Sequence, residues 1–369
     1  MCKILPTVAR GICHSIIANL EGVVLTRWHT TRARLKDAAG IAGVSIRTVS
    51  RVINNSPEVS ANTRARVLDV IKQLNYHPSS LGRRLSAGRS KTIGLNVPLT
   101  FDYVASDYFF LDIILGINRI LTKNDYDLQI ITMDEAGQDG RSCLNLFHEG
   151  RIEGLILMDP CVEDRLIAAL QAENAPFVLI GRPPDEVLCN YVDNDNVKGA
   201  ADLVDHLAGL GHEKIAIIAG MPELTVAQDW ILGYRIGMRK NHLPERDDYV
   251  SHSQFTVESG RYEIGRVLHL TDRPTAVITG NDLLAVGAIR GAREMGVRVP
   301  EDLSVVTFND TPLTRYFAPP ITAMHGPITE LAMRAADMLL AMLHGGEQER
   351  VVVIPCQLTV RDSSSAPPV

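Results

Sequence analysis

The sequence predicts an all-α helix-turn-helix head followed by an α/β core of two doubly wound parallel-sheet subdomains. Three observations carry that prediction. Residues 35–54 read LKDAAGIAGVSIRTVSRVIN, two short helical periods separated by a glycine turn. From Thr92 onward, short runs apolar at successive positions alternate with stretches of helical period, the pattern of strands buried on both faces between crossover helices. Charge is also divided unevenly. The 369-residue chain carries −6 overall, but residues 31–91 set twelve Lys and Arg against Asp37, Glu58 and Asp69, a balance of +9. Residues 1–30 carry +2, which leaves −17 on the remainder. A basic head on an acidic body suits a module that meets phosphate while the rest of the chain stays clear of it.

In the head, the first helix is expected over Leu35–Ala42, with Gly43 and Val44 in a tight turn. Ser45 can cap the second helix, its hydroxyl accepting from an otherwise unpaired backbone N–H. Val49, Val52 and Ile53 then share one face of that helix, and Arg47, Ser50 and Arg51 share the opposite one. An apolar inner face and a basic outer face after a glycine turn describe a recognition helix. A plain helical hairpin with a solvated charged face is the alternative. A third helix begins at Ser60 and closes a small core with Val67, Val70, Ile71 and Leu74.

From Asp37 to Asn54 the chain resembles the DVAxxAGVSxxTVSRVxN pattern of the lactose-repressor (LacI/GalR) family of bacterial transcriptional regulators. Ala38 replaces the usual Val, and Gly40 sits inside the first helix, at a local cost of roughly 1 kcal/mol against Ala. The segment NYHPSSLGRRLSAGRS, with Asn75, Tyr76, Pro78 and Leu85, is similar to that family's hinge. The resemblance runs to Arg361. It implies that Ile46 and Arg47 face base edges, with Arg51 as a second reader, that Ser50 lies on the same DNA-binding face, and that Ser45, Thr48, Asn54 and Thr63 are placed for phosphates. It also implies a hinge, with Tyr76, Ser79 and Gly82, that orders only on DNA, where Leu85 enters the minor groove.

In the core, strands are expected at Ile93–Val97, Leu128–Met133, Gly154–Met158, Phe177–Ile180, Ile215–Ala219, Ala276–Thr279 and Leu303–Phe308. Helices are expected at Leu111–Lys123, Asp164–Glu173, Val197–Leu210 and Leu283–Met295. Two doubly wound halves take ligands at the carboxyl ends of their strands, and the whole resembles the periplasmic-binding-protein-like core of the same family. The resulting domain expectation is a disordered extension over 1–30, the head over 31–77, a hinge helix or linker over 78–91, the core over 92–361 and a tail over 362–369. Within the core, the N-subdomain takes 92–190 plus 323–361 and the C-subdomain 191–322.

Several function classes are excluded or set aside. The sequence contains no GxSxG, HExxH, GxxxxGK[ST] or strand-linked GxGxxG, so catalysis has no support and no cofactor is expected. The six Cys at 2, 13, 143, 161, 189 and 356 lack metal spacing and fit a reducing cytoplasm, with the protein on the nucleoid. Asp193 and Asp195 read as turn-shaping residues ahead of the helix at Val197 rather than as a metal pair, and no metal site is expected. GLGH at 209–212 reads as a helix end at which Gly supplies positive φ. No apolar run reaches transmembrane length. Ile12–Leu25 is moderately apolar behind Lys3 and Arg10, but His14, Asn19 and Glu21 interrupt it. Export would also strand a DNA-binding head, so residues 1–30 are taken as an extension or as the product of an upstream start codon.

By resemblance, six residues face an effector between the subdomains. Phe109 and Phe110 stand at paired aromatic positions before Gly116-Ile117, next to Asp107 and Tyr108 where relatives often carry Asn-Pro. Trp230 stands three before Gly233-Tyr234, where an Arg is usual, and Phe255 stands five before Gly260. Asn281 opens NDLLA, and Asn309 replaces the commoner Asp. Each has core packing as the alternative. Trp in place of Arg argues for a neutral, stackable ligand, a carbohydrate whose C–H face meets rings while Asn side chains bind hydroxyls. A purine or nucleoside is the second reading, and a sugar receptor without DNA function the third. The expected partners are a pseudo-palindromic double-stranded operator and a second copy of the chain, in a homodimer or a tetramer built from it, with no membrane.

Overall fold

The computed structural model describes residues 35–53, 56–74, 90–97, 101–132, 141–185, 187–347 and 349–368, with 101–103 and 141 described by backbone alone. The chain forms two compact units that divide at Gly88 and Arg89.

The first unit contains α1 (Leu35–Ala42), α2 (Ile46–Ile53) and α3 (Ala61–Gln73). Gly43 has φ +62, a left-handed conformation that favours glycine, and the turn is closed by Val44 N–H donating to Ala39 C=O at 3.1 Å. Ser45 Oγ accepts from Thr48 N–H at 3.1 Å, and Ser60 Oγ from Thr63 N–H at 3.4 Å, capping α2 and α3. Ala38, Ala39, Ala42, Val49, Val52, Val67 and Val70 form the buried core. Small side chains let three short helices approach closely enough to exclude water from so little material.

The second unit holds two six-stranded sheets. The N lobe contains β1 (Thr92–Val97), α4 (Phe101–Ser106), α5 (Tyr108–Lys123), β2 (Asp127–Thr132), α6 (Arg141–His148), β3 (Gly154–Met158), α7 (Arg165–Ala172), β4 (Phe177–Ile180) and β5 (Tyr191–Asn194). The C lobe contains α8 (Asn196–Gly209), β6 (Ile215–Ala219), α9 (Thr225–Lys240), β7 (Val250–His252), α10 (Val257–Leu268), β8 (Ala276–Thr279), α11 (Asp282–Glu294), β9 (Ser304–Asn309), α12 (Pro312–Tyr316) and β10 (Thr322–His325). The chain then returns to the N lobe for α13 (Ile328–His344) and β11 (Val351–Ile354), and ends in the C lobe with β12 (Gln357–Thr359). The sheet orders are β11-β5-β4-β3-β1-β2 and β12-β10-β9-β8-β6-β7, parallel except where β12 runs against β10.

This topology corrects the subdomain boundaries expected from sequence. Tyr191–Asn194 pairs with Phe177–Ile180 and with Val351–Ile354, so the N lobe extends to 194 rather than 190. Gln357–Thr359 pairs with Ala323–His325, so 357–361 belongs to the C lobe rather than the N lobe. The chain therefore crosses between lobes three times, after β5, β10 and β11. The short strands β5, β7, β10, β11 and β12 were not anticipated, since three or four residues carry little periodic signal. The expected tail is also built in. Ser363 is fully buried, accepts from Thr322 N–H at 2.8 Å and donates to Val305 C=O at 2.5 Å. His212, also buried, lies 2.8 Å from Ser365 C=O and 3.0 Å from Ser304 Oγ. These bonds fasten residues 363–365 to the edge of β9.

The glycine-end reading of GLGH holds, since Gly211 has φ +99 just past α8. Helix packing in the C lobe depends on glycines of another kind. At Gly233 on α9, a Cβ would lie 2.1 Å from the Val197 carbonyl oxygen and 2.7 Å from Ala200 Cβ on α8. Gly233→Ala should overpack this crossing and cost about 1–3 kcal/mol, read as a lower thermal midpoint. An unchanged midpoint would show that α8 and α9 can part freely.

Candidate functional site

The carboxyl ends of both sheets face one cleft, as the doubly wound architecture requires. Its walls include Asp107, Phe109 and Phe110 at the start of α5, and Asp159 and Pro160 after β3. They continue with Gly181 after β4, Asp193 and Asn194 in β5, and Asn196 opening α8. From the C lobe come Trp230 on α9, Phe255 before α10, Asn281 before α11 and Asn309 at the end of β9. The cleft encloses about 660 Å³ of empty space, part of it open to solvent. All six residues singled out as effector-facing therefore line a single cavity.

The aromatic wall has a specific construction. Trp230 stacks on Phe308, with ring centroids 4.9 Å apart and planes at 24°, and meets Phe255 edge-on at 6.1 Å and 79°. Its Nε1–H donates to Asn196 Oδ1 at 3.3 Å. One indole face is thus already covered, and Trp230 is both packing and lining. Glycines at two strand ends make the room. A Cβ on Gly220, after β6, would lie 2.2 Å from the Phe255 ring, and one on Gly280, after β8, 2.7 Å from Trp230.

Polar contacts tie the lobes together across the cleft. Asp107 caps α5 by accepting from Phe109 N–H at 3.0 Å, and its other oxygen accepts from Asn281 Nδ2 at 3.3 Å. Asn281 also caps α11, accepting from Leu284 N–H at 2.9 Å. Arg182 on the N lobe grips Asp229 on α9: its Nε–H is shared between the two carboxylate oxygens at 3.0 and 3.1 Å, and its Nη2 lies 3.0 Å from Oδ1. Thr225 Oγ1 donates to Arg182 C=O at 2.7 Å. Asp195 caps α8 through Lys198 N–H at 3.1 Å, and Asp193 accepts from Asn194 N–H and Asn196 Nδ2 at 2.8 and 3.0 Å. Both aspartates shape the turn, as expected, and Asp193 also lines the cavity. Asn309 and Asp310 are consecutive non-glycine residues at φ +85 and +59, a strained pair that points Asn309 toward the cleft at the cost of backbone energy.

Burial raises the pKa of the three carboxyls that line the cleft and of Asp282 beside it. Asp107 is lifted by burial against the opposing hydrogen bonds from Phe109 and Asn281. Asp159 is pushed up to about 6 by burial and by the charge of Asp107, and Asp193 to about 7 by burial and by Asp229. Asp282, next to the cleft, accepts from Thr311 N–H at 2.8 Å yet is pushed up to about 8 by burial. Asp107, Asp159 and Asp193 were not among the residues chosen from sequence. The available signal was position, because each sits at the carboxyl end of a strand or at the helix start facing it.

In the first unit, Ile46 and Arg47 are exposed at the start of α2. Arg51 pairs with Glu58 at 2.9 Å, so its guanidinium is shared within the head. Ser45 and Thr48 are bonded to each other at 2.9 Å. Asn54, Tyr76, Ser79, Gly82 and Leu85 lie outside the described residues, as does residue 348 near β11. Among the described residues no group of His, Cys, Asp or Glu could hold a metal ion, and no helix is long and apolar enough to cross a membrane.

Residues 34–79 match the model of bacterial regulatory proteins of the lacI family, and 204–364 match a periplasmic binding protein-like domain. The chain is 31% identical to the probable transcriptional repressor ExuR of Bacillus subtilis (strain 168), over 89% of this chain and 97% of that one. It belongs to the lacI family of bacterial regulatory proteins. The ribose operon repressor of Haemophilus influenzae is 32% identical over 90% of this chain and 98% of its own. The PurR repressor of Aliivibrio salmonicida is 29% identical over 86% and 94%. Among solved structures, the regulator CelR in complex with cellobiose matches with a TM-score of 0.71 and 30% identity, covering 90% of this chain and all of that one. The lac repressor dimer bound to operator and the anti-inducer ONPF matches at 0.79 and 27%, covering 90% and 99%.

The raised carboxyl pKa values have a consequence for stability. A carboxyl whose folded pKa exceeds its unfolded value stabilises the fold while protonated, and that contribution is lost as pH rises through the folded value. His206 and His212 are shifted down by burial, so their opposite effect is confined below about pH 6.5. Above about pH 6.5 Asp193 and Asp282 are the shifted groups still losing protons in the folded state, so resistance to urea should fall as pH rises toward 8. Asp282→Asn should flatten that fall. A stability that climbs over the same window would contradict the assignment.

Proposed function

We propose that this lacI-family regulator is a repressor whose operator binding is controlled by a carbohydrate held between the two lobes. One observation carries the effector reading. Four aromatic side chains and seven Asp and Asn side chains from both lobes share one cavity, with no Lys, Arg or His among the described lining residues. Rings cover the C–H face of a pyranose, while carboxylates and amides take its hydroxyls. Anionic ligands would meet carboxylates instead. The CelR–cellobiose complex and the ribose operon repressor support the same class. The PurR relatives keep a purine as the second reading, since the rings would stack on a base equally well.

DNA recognition follows from the exposed start of α2. One such helix reads only a few base pairs, so two copies on a pseudo-palindrome supply the missing specificity. Tyr108, Leu111 and Leu115 leave an exposed apolar stripe along α5, which a homodimer would cover. Closure of the lobes on a ligand shifts the N lobe, whose first strand begins just after the linker to the head. Loosening operator binding a hundredfold needs only about 2.7 kcal/mol of difference in ligand affinity between the open and closed states.

Arg47→Ala should cost about 1–3 kcal/mol on the cognate operator and relax selectivity at one base pair. Equal weakening on all sequences in a gel-shift would remove its readout role. Leu115→Glu should lower both the dimer fraction in sedimentation and operator affinity, and a dimer unaffected by it would move the interface elsewhere. The effector class is tested by a thermal-shift panel of sugars and purines on the full chain, with gel-shifts for each hit. A sugar that raises the midpoint and alters operator binding is expected. Stabilisation by purines alone would overturn the carbohydrate reading.

A further inference from the structure

Charge on the cavity wall is one-sided. One N–H of Asn196 and the indole N–H of Trp230 are used inside the wall, on Asp193 and Asn196, and one N–H of Asn281 is used on Asp107. Three carboxyls line the cavity, and no Lys, Arg or His does among the described lining residues. Asp159 lines the cavity with no hydrogen-bond partner for its carboxylate among the described residues, and it lies close enough to Asp107 to feel its charge. Arg182, the basic side chain beside Asp193, is held by Asp229 and Asp185. The cleft therefore concentrates negative charge beside aromatic rings.

A neutral polyol answers this arrangement only in part. Its hydroxyls can meet the amide groups of the wall, but it takes the carboxylates further from water without a countercharge, which is costly. A protonated amine brings three donors, no acceptor and the missing positive charge. Aromatic faces attract cations within about 6 Å as well.

We propose that the effector is a cationic carbohydrate, an amino-sugar-class ring whose ammonium sits between Asp107 and Asp159 and whose C–H face lies against Trp230 and Phe255. The inference rests on the carbohydrate reading and narrows it. It separates two ligand groups that share hydroxyl chemistry, since an uncharged hexose offers the rings the same face but leaves Asp159 unanswered.

Isothermal titration of the full chain tests it with matched pairs: glucose and glucosamine, galactose and galactosamine, mannose and mannosamine. The N-acetyl derivatives, glucuronate, hypoxanthine and guanine complete the panel. At least one amino sugar should bind about tenfold or more tighter than its neutral parent, and N-acetylation, which removes the charge, should abolish the advantage. Asp159→Asn should narrow the ratio between the amine and its parent. Asp107→Asn, which keeps a capping side chain on α5, should do the same, and thermal melts of both variants report that they fold. If a neutral sugar binds as tightly as its amine, or glucuronate binds best, the cationic inference falls while the carbohydrate reading stands. If only the purines bind, or nothing in the panel does, both fall.

Discussion

The core unit is organised around one electrostatic constraint: carboxyl groups held in a crevice between two lobes, with no basic side chain among the described lining residues. The fold makes this unavoidable. Parallel sheets present the carboxyl ends of their strands to the same crevice, and the residues that turn the chain there include Asp159, Asp193, Asn281 and Asn309. Each must be satisfied locally, across the cleft, or by something that enters. Asp193 is satisfied locally by the start of α8. Asp107 is satisfied half locally and half by Asn281 of the other lobe. Asp159 is left over. The lobe-to-lobe contacts, the raised carboxyl pKa values and the inferred ligand chemistry all follow from how these groups are shared.

The same constraint gives the cleft a physical means of control. The bond between Asp107 and Asn281 and the Arg182–Asp229 pair are the kind of contacts whose geometry changes when lobes move. Three chain crossings between lobes allow a hinge motion while keeping the strands of each sheet in register. A ligand that supplies better partners than the protein supplies itself shifts the balance between arrangements by its differential affinity and by nothing else. Trp230 illustrates how rigid the receiving wall is. With Phe308 stacked on one face and Gly280 behind it, the indole has little freedom to adapt, so selectivity rests on fit to a preset surface.

Much of this was legible in the sequence. The head was read element by element, because a glycine at positive φ, a serine cap and an i, i+3, i+4 apolar face each have one structural meaning at residues 43–53. Seven of the core strands were legible as continuous apolar runs. The six cleft residues drawn from the family resemblance do line one cavity. What escaped had physical reasons. Strands such as Val351–Ile354 and Gln357–Thr359 are too short for periodicity, and their pairing partners lie more than thirty residues away in sequence. That misplaced the final lobe crossing and hid the docked segment at Ser363. Asp107, Asp159 and Asp193 escaped as site residues because an aspartate beside a turn is ordinarily a cap. Only the position of these strand ends around a shared cleft shows that the three aspartates line it.

The central claim is that ligand binds between the lobes and engages both at once. Hydrogen–deuterium exchange on the full chain, with and without the ligand that most raises its melting temperature, tests this most directly. The account predicts simultaneous protection of the segments around Asp107–Phe110 and Asp159–Pro160 in one lobe, and around Trp230 and Asn281–Leu284 in the other. Protection confined to one lobe, or located away from the cleft, would contradict it.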